Sequence, residues 1–112
     1  MSEPTMNVNQ RIQSILDSHP VVLFMKGTPQ FPMCEFSSRA VGALHEVAAV
    51  FHAVNVQEDP ELRAGLPRFA NCSTFPQLYV QGELIGGCDI VLDLHASGEL
   101  KRLVREAHQT DA

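Results

Sequence analysis

Val21-Val22-Leu23-Phe24-Met25-Lys26-Gly27-Thr28-Pro29-Gln30-Phe31-Pro32-Met33-Cys34-Glu35-Phe36-Ser37 passes from an unbroken apolar run to a cysteine at the head of a helical pattern. The run Val21 to Met25 suits a strand buried on both faces. From about Cys34 to Ala49, the residues Phe36, Ala40, Ala43, Leu44 and Val47 share one face at helical spacing. Cys34 therefore falls where a strand and its loop hand over to a helix. Backbone N–H groups and the helix dipole favour an anionic sulfur at such a position. Lys26, at the other end of the loop, adds a positive charge. A cysteine so placed reads as a reactive thiolate and not as core filling.

The rest of the chain bounds the setting. Its 112 residues make one domain, 1–112, large enough to bury a core without disulfides. Eight Lys and Arg against 13 Asp and Glu give a net charge of −5, which argues against nucleic acid as the main partner. No apolar run approaches the ~20 residues that span a bilayer. Three cysteines without framework spacing point to a reducing compartment. Met1 to Gln10 lacks the pattern of a signal or transit peptide, so a cytoplasmic protein is expected. His19, His45, His52, His95 and His108 show no metal spacing and read as surface or rim residues. Phe24, Phe51, Phe69 and Tyr79 read as core or half-core aromatics.

Further elements follow from periodicity. Val8, Ile12, Ile15 and Leu16 mark a first helix, and Phe51 to Val56 a second strand. Asp59-Pro60-Glu61 starts a helix running to about Phe69, with a capping acid and proline at its first position. Gln77 to Val80 and Glu83 to Ile85 flank Gln81-Gly82 as a hairpin. Asp89 to Ala96 and Glu99 to Ala107 read as closing helices. The order α-β-α-β-α-β-β-α-α predicts an α/β fold with a mixed sheet, its first two strands parallel through a right-handed crossover.

With these motifs in place, the chain resembles the monothiol glutaredoxins, whose signature is Cys-Gly-Phe-Ser. The resemblance rests on Lys26-Gly27-Thr28-Pro29, on Pro32-x-Cys34 followed by Phe36-Ser37, and on Arg63 with Gly65-Leu66. It continues through Thr74-Phe75-Pro76-Gln77, Gly86-Gly87-Cys88-Asp89 and Gly98-Glu99-Leu100, and so spans nearly the whole chain. It implies a thioredoxin-like fold, a four-stranded mixed sheet flanked by helices. It also implies a glutathione site. Pro76 would follow a cis bond that presents the Phe75 backbone beside Cys34, with Thr74 next to it. The γ-glutamyl carboxylate would sit at the Cys88 and Asp89 amides, and the Asp89 side chain would take the ammonium. Lys26 and Arg63 would hold the glycyl carboxylate, Phe36 would flank the ligand, and Gly86 and Gly87 would let it approach.

Ser37 stands where dithiol relatives carry a resolving cysteine, which leaves two outcomes open. In one, Cys34 is the catalytic thiol of a monothiol cycle, a weak glutathione-dependent oxidoreductase that removes glutathione from mixed disulfides. In the other, two chains each give Cys34 and a bound glutathione to hold a 2Fe–2S cluster for storage or delivery. The second makes Cys34 a metal ligand. It also makes the protein a monomer without cluster and a homodimer with it, serving apo iron–sulfur clients and a BolA-type protein. Departures from the family bear on the choice. Glu35 replaces the signature glycine, and a carboxylate about 7 Å from the sulfur opposes the thiolate by about 0.6 kcal/mol in water and ~2.4 at a dielectric near 20. Cys72 and Ser73 stand where the family has Trp-Pro. Cys88 is close enough in the implied fold for a Cys34–Cys88 disulfide in an oxidised state, and Cys72 reads as a structural thiol.

Overall fold

The computed structural model describes residues 7–72 and 74–110. The leader-free reading of Met1 to Gln10 therefore falls mostly outside the described residues, as does the departure at Ser73.

Each element follows from local chemistry. Helix α1, Val8–Ser18, opens with a reciprocal capping box, in which Asn7 Oδ1 accepts from the Gln10 amide and Gln10 Oε1 from the Asn7 amide. Strand β1, Val21–Met25, is buried throughout. Helix α2, Glu35–Glu46, stops three residues short of the expected Ala49. Ala48 turns left-handed at φ 57°, and the Ala49 amide closes back on the Leu44 carbonyl. Strand β2, His52–Asn55, is shorter than expected at both ends, because Asn55 caps a 3₁₀ turn over Val56–Glu58. Asp59 and Pro60 start helix α3, Pro60–Ala70, as predicted, and the Asp59 carboxylate accepts the Leu62 amide at 3.2 Å. Pro67 sits inside its last turn. Strands β3, Gln77–Val80, and β4, Glu83–Gly86, meet at Gln81-Gly82, both at positive φ as a tight hairpin requires. Helices α4, Cys88–Ser97, and α5, Glu99–Thr110, are separated by Gly98 at φ 87°.

The sheet order is β2-β1-β3-β4, with β1 parallel to β2 and the other pairs antiparallel. This is the mixed four-stranded sheet expected. Strand alternation divides the core into two layers. Val21, Leu23 and Met25 pack with Ala40, Leu44, Val91 and Val104 from α2, α4 and α5. Val22 and Phe24 pack with Ile12, Leu16, Leu62 and Leu66 from α1 and α3. In that second layer Phe24 meets Tyr79 edge to face at 5.5 Å. Arg11 ties the two helices of this side together, its guanidinium bridging Asp59 at 2.5 Å and also pairing with Glu61. Among the described residues no helix is long and apolar enough to cross a membrane.

Candidate functional site

The N-terminus of α2, the start of α4 and the loop before β3 converge on one cavity of about 760 Å³, within the ~300–1,000 Å³ usual for ligand pockets. Cys34 and Phe36 reach it from α2, Lys26 from the end of β1, and Arg63 from α3. Thr74 and Phe75 line it from the loop, and Gly87, Cys88 and Asp89 from the start of α4. Pro76 is buried behind this lining; the Phe75–Pro76 peptide is cis, and the Pro76 carbonyl stands 3.4 Å from where a Cβ on residue 87 would lie. Thus nine of the eleven residues singled out in the sequence line one cavity, Pro76 and Gly86 being the exceptions. Pro67 and Ile90 line it too and were not foreseen. A proline one turn beyond Arg63 on α3 was the only available signal for the former.

The loop that presents Cys34 is tightly closed. The Met33 amide donates to the Lys26 carbonyl at 2.9 Å, and Thr28 and Phe31 exchange backbone bonds at 3.2 and 3.1 Å. Gly27 makes this possible: at φ 91°, any Cβ there would strike the Met33 amide and the Phe31 carbonyl at 2.5 Å. Its N–H donates to Asn55 Oδ1 at 2.9 Å, tying the loop to the end of β2. Phe31, Met33 and Phe36 stand exposed around the cysteine. Gly86 has a packing role in addition to the openness expected of it. It sits at φ 150°, where a Cβ would collide with the Ile90 side chain at 2.7 Å.

Cys34 is the N-cap of α2 and carries no side-chain capping bond of ordinary geometry. Its thiol is nonetheless held below the usual range. The Ser37 amide is the main cause, burial opposes it, and the Phe36 amide, the Lys26 ammonium and the Ser37 hydroxyl add to it. Ser37 is fully buried, and its Oγ also accepts the Lys26 amide at 3.1 Å. In the sequence Ser37 stands out only as the place of an absent cysteine, whereas in the fold it bonds both the Cys34 thiol and the Lys26 amide. Its place three residues after a cap was the signal. Glu35, expected to oppose the thiolate, is not among the leading influences on Cys34, although, after burial, it helps to raise the Cys88 thiol. Its carboxylate is paired with Arg39 at 2.6 Å, one helical turn on. Cys88 differs: burial, then Asp89, pushes its thiol up. Cys34, Cys72 and Cys88 are all free thiols, so the cavity holds one thiol that favours its anion and one that resists it.

The loop carrying Thr74 and Phe75 is fixed from beneath by a second feature that the sequence did not announce. Gln77 is fully buried. Its Nε2 donates to the carbonyls of Cys72 at 2.9 Å and Thr74 at 3.2 Å, and its Oε1 accepts the Tyr79 hydroxyl at 3.3 Å. Burial pushes the Tyr79 phenol up to about 12, so it remains a donor at neutral pH. Among the described residues no three His, Cys, Asp or Glu side chains cluster as metal ligands.

Comparison with known proteins gives consistent matches. The Glutaredoxin family profile matches residues 21–85. The chain is 46% identical to Glutaredoxin 4 of Haemophilus ducreyi over 101 residues, covering 90% of this chain and 94% of that protein. It is 48% identical over 99 residues to a monothiol glutaredoxin of Oryza sativa subsp. japonica, covering 88% of this chain but only 20% of that longer relative. Its fold superposes on a crystal structure of a buckwheat glutaredoxin–glutathione complex with a TM-score of 0.80, at 25% identity over 90% of each chain.

Proposed function

This chain belongs to the glutaredoxin family, in its monothiol branch, and from that premise we propose that it binds glutathione beside Cys34 and, as a homodimer, holds a 2Fe–2S cluster for storage or delivery. One observation carries the reading. The cavity presents a single thiolate-favouring cysteine, with the buried hydroxyl of Ser37 where a resolving thiol would stand.

The cavity has complementary chemistry for each part of glutathione. Lys26 and Arg63 supply cations for the glycyl carboxylate. The first amides of α4, at Cys88 and Asp89, favour the γ-glutamyl carboxylate, and the Asp89 side chain the ammonium. Phe75 lines the cavity, and in this reading its backbone pairs with the peptide. For the cluster, the donor set fits: one chain gives one thiolate, so two chains with two glutathiones complete the four sulfurs that such a cluster takes. Phe31 and Met33, 77% and 66% exposed, form an apolar collar that a second copy would cover. When bound, the cluster supplies the transferable iron and sulfide. This chain's residues supply a ligand thiolate, the glutathione seat and the apolar rim. In this reading the protein works in the cytoplasm with apo iron–sulfur clients and a BolA-type partner.

The lowered Cys34 thiol favours a second reading, deglutathionylation. The Cys34 thiolate attacks the glutathione sulfur of a mixed disulfide and expels the client thiolate. A second glutathione thiolate then attacks Cys34–S–SG, restoring the Cys34 thiolate and leaving oxidised glutathione. Cys88, with its thiol pushed up, takes no part in that cycle.

Anaerobic reconstitution with iron, sulfide and glutathione tests the reading. Visible charge-transfer bands in a glutathione-dependent dimer, lost in Cys34→Ser, are expected. A colourless monomer that turns over glutathionylated thiols would replace the carrier by the oxidoreductase. A cluster retained by Cys34→Ser would sink the carrier outright.

A further inference from the structure

The far end of α2 carries a surface that the thiol chemistry leaves unused. Val47, the C-cap of α2, lines a groove of about 370 Å³ with Val104 beneath it and Lys101, Arg105 and His108 of α5 along it. His108 also lines an adjoining hollow of about 280 Å³, with His19, His52 and the 77% exposed Val50. The two are joined by a bond from the Val50 amide to His108 Nε2 at 3.1 Å.

The charge on this face is opposite to that of the molecule. The chain has 13 carboxylates and a net charge of −5. Among the described residues no carboxylate lines either hollow, whereas two of the eight Lys and Arg and three of the five His do. Other cations are engaged elsewhere. Arg11 pairs with Asp59 and Glu61, Arg39 with Glu35, and Arg102 with Glu99 and Glu106. Lys26 and Arg63 line the Cys34 cavity. Among the described residues Lys101 and Arg105, one turn apart on α5, take part in no ion pair.

We propose that this groove docks an acidic peptide segment of a client protein, its carboxylates meeting Lys101 and Arg105 and an aliphatic side chain seated on Val47 and Val104. Charge complementarity selects the acid, and the apolar floor selects a peptide over other polyanions. Lipid surfaces are read by clusters of about 4–8 Lys and Arg, and single-stranded nucleic acid by a basic track with stacking aromatics; neither lines this groove. The imidazoles agree with an anionic occupant. His19 and His52 stack with centroids 3.9 Å apart, and burial, then His19, holds the His52 imidazole below its usual range. Among the described residues the titratable groups that share this hollow with His52 are His19, just past the end of α1, and His108 from α5. Because α2 is 12 residues long, about 18 Å separates this face from Cys34, so a client held here leaves the thiol cavity open.

The probe is a fluorescein-labelled peptide of about 12 residues alternating Glu and Leu, titrated with the full chain and read by anisotropy. Binding is expected, weakened at least ~10-fold by Lys101→Glu/Arg105→Glu and similarly by raising NaCl to about 0.5 M. A Leu-to-Ala version of the peptide should also bind more weakly. Amide shifts should map to Val47, Val50, Val104 and His108, and the His52 imidazole should titrate higher with peptide bound. The alkylation rate of Cys34 should be unchanged in the variant. Equal affinity of variant and parent, shifts confined to the Cys34 cavity, or absence of binding would overturn the proposal. So would anionic vesicles or RNA binding this face in place of the peptide, or self-association through it on sizing. None of these readings depends on glutathione or a cluster, so failure of this proposal is distinct from failure of the carrier function.

Discussion

Replacing Gln77 by leucine tests whether the loop at the cavity is held from below. Gln77 makes no contact with solvent and joins three groups: the carbonyls of Cys72 and Thr74, and the hydroxyl of Tyr79, itself only 2% exposed. Gln77→Leu strands the phenol inside an apolar cluster, which costs about 1–3 kcal/mol. It also removes two neutral bonds to the loop, each contributing about 0.5–1.5 kcal/mol. The added apolar burial returns about 1–2 kcal/mol. The net loss should be about 2–3 kcal/mol, or a fall in Tm of about 10–15 °C for a chain of this size. Urea unfolding followed by circular dichroism measures it. Tyr79→Phe, which removes the stranded hydroxyl, provides the control. The double variant should lose at least ~1 kcal/mol less than the two single losses combined. Thr74 and Phe75 line the cavity from this loop, so glutathione affinity should fall, while the pH profile of Cys34 alkylation should not move. The groups that lower that thiol belong to α2 and Lys26, not to this loop. A loss below about 0.5 kcal/mol, strict additivity, or a shifted thiol profile would refute the argument.

Other perturbations have equally definite outcomes. Ser37→Ala removes a hydroxyl that favours the Cys34 thiolate, so the midpoint of iodoacetamide alkylation should move to higher pH; an unmoved midpoint would exclude a role for that hydroxyl. Arg11→Ala should destabilise by about 1 kcal/mol at pH 7, since the pair with Asp59 is partly exposed. The Arg11 hydrogen bond lowers the folded pKa of Asp59 below its unfolded value. The stabilisation is therefore complete above ~3.9, the unfolded value, and disappears as pH falls through the folded one. Parent and variant should converge in stability there, and an undiminished gap in acid would contradict the linkage. Gly27→Ala should cost at least ~2 kcal/mol and disorder the Cys34 loop, because it adds a Cβ at positive φ against two backbone atoms. A near-neutral effect in thermal unfolding would show that the loop yields.

Much of this architecture was legible in the chain. The buried run Val21–Met25, the cap-proline-acid start at Asp59 and the Gln81-Gly82 turn are local signals, and local backbone physics fixes what they form. Cys34 was legible because the passage from strand to helix is itself written in apolar spacing. Motif likeness named nine residues of the cavity, yet it could not weigh their surroundings. The charge of Glu35 was read as opposing the thiolate, and its ion pair with Arg39, one turn on, depends on a side-chain geometry that spacing permits but does not compel. The clamp of Arg11 on Asp59 and the groove at Val47, free of carboxylates among the described residues, join residues far apart in sequence, whereas Gln77 bonds to near neighbours and only its burial depends on the packed core. The sequence by itself determined the order of elements, the parallel and antiparallel strands and the one cysteine poised to ionise, because each follows from local propensity and the handedness of chain crossings. Only the tertiary structure decided which charges are neutralised, which polar groups are buried together and where opposite charge accumulates, because these depend on distances between side chains that meet only once the two core layers have packed.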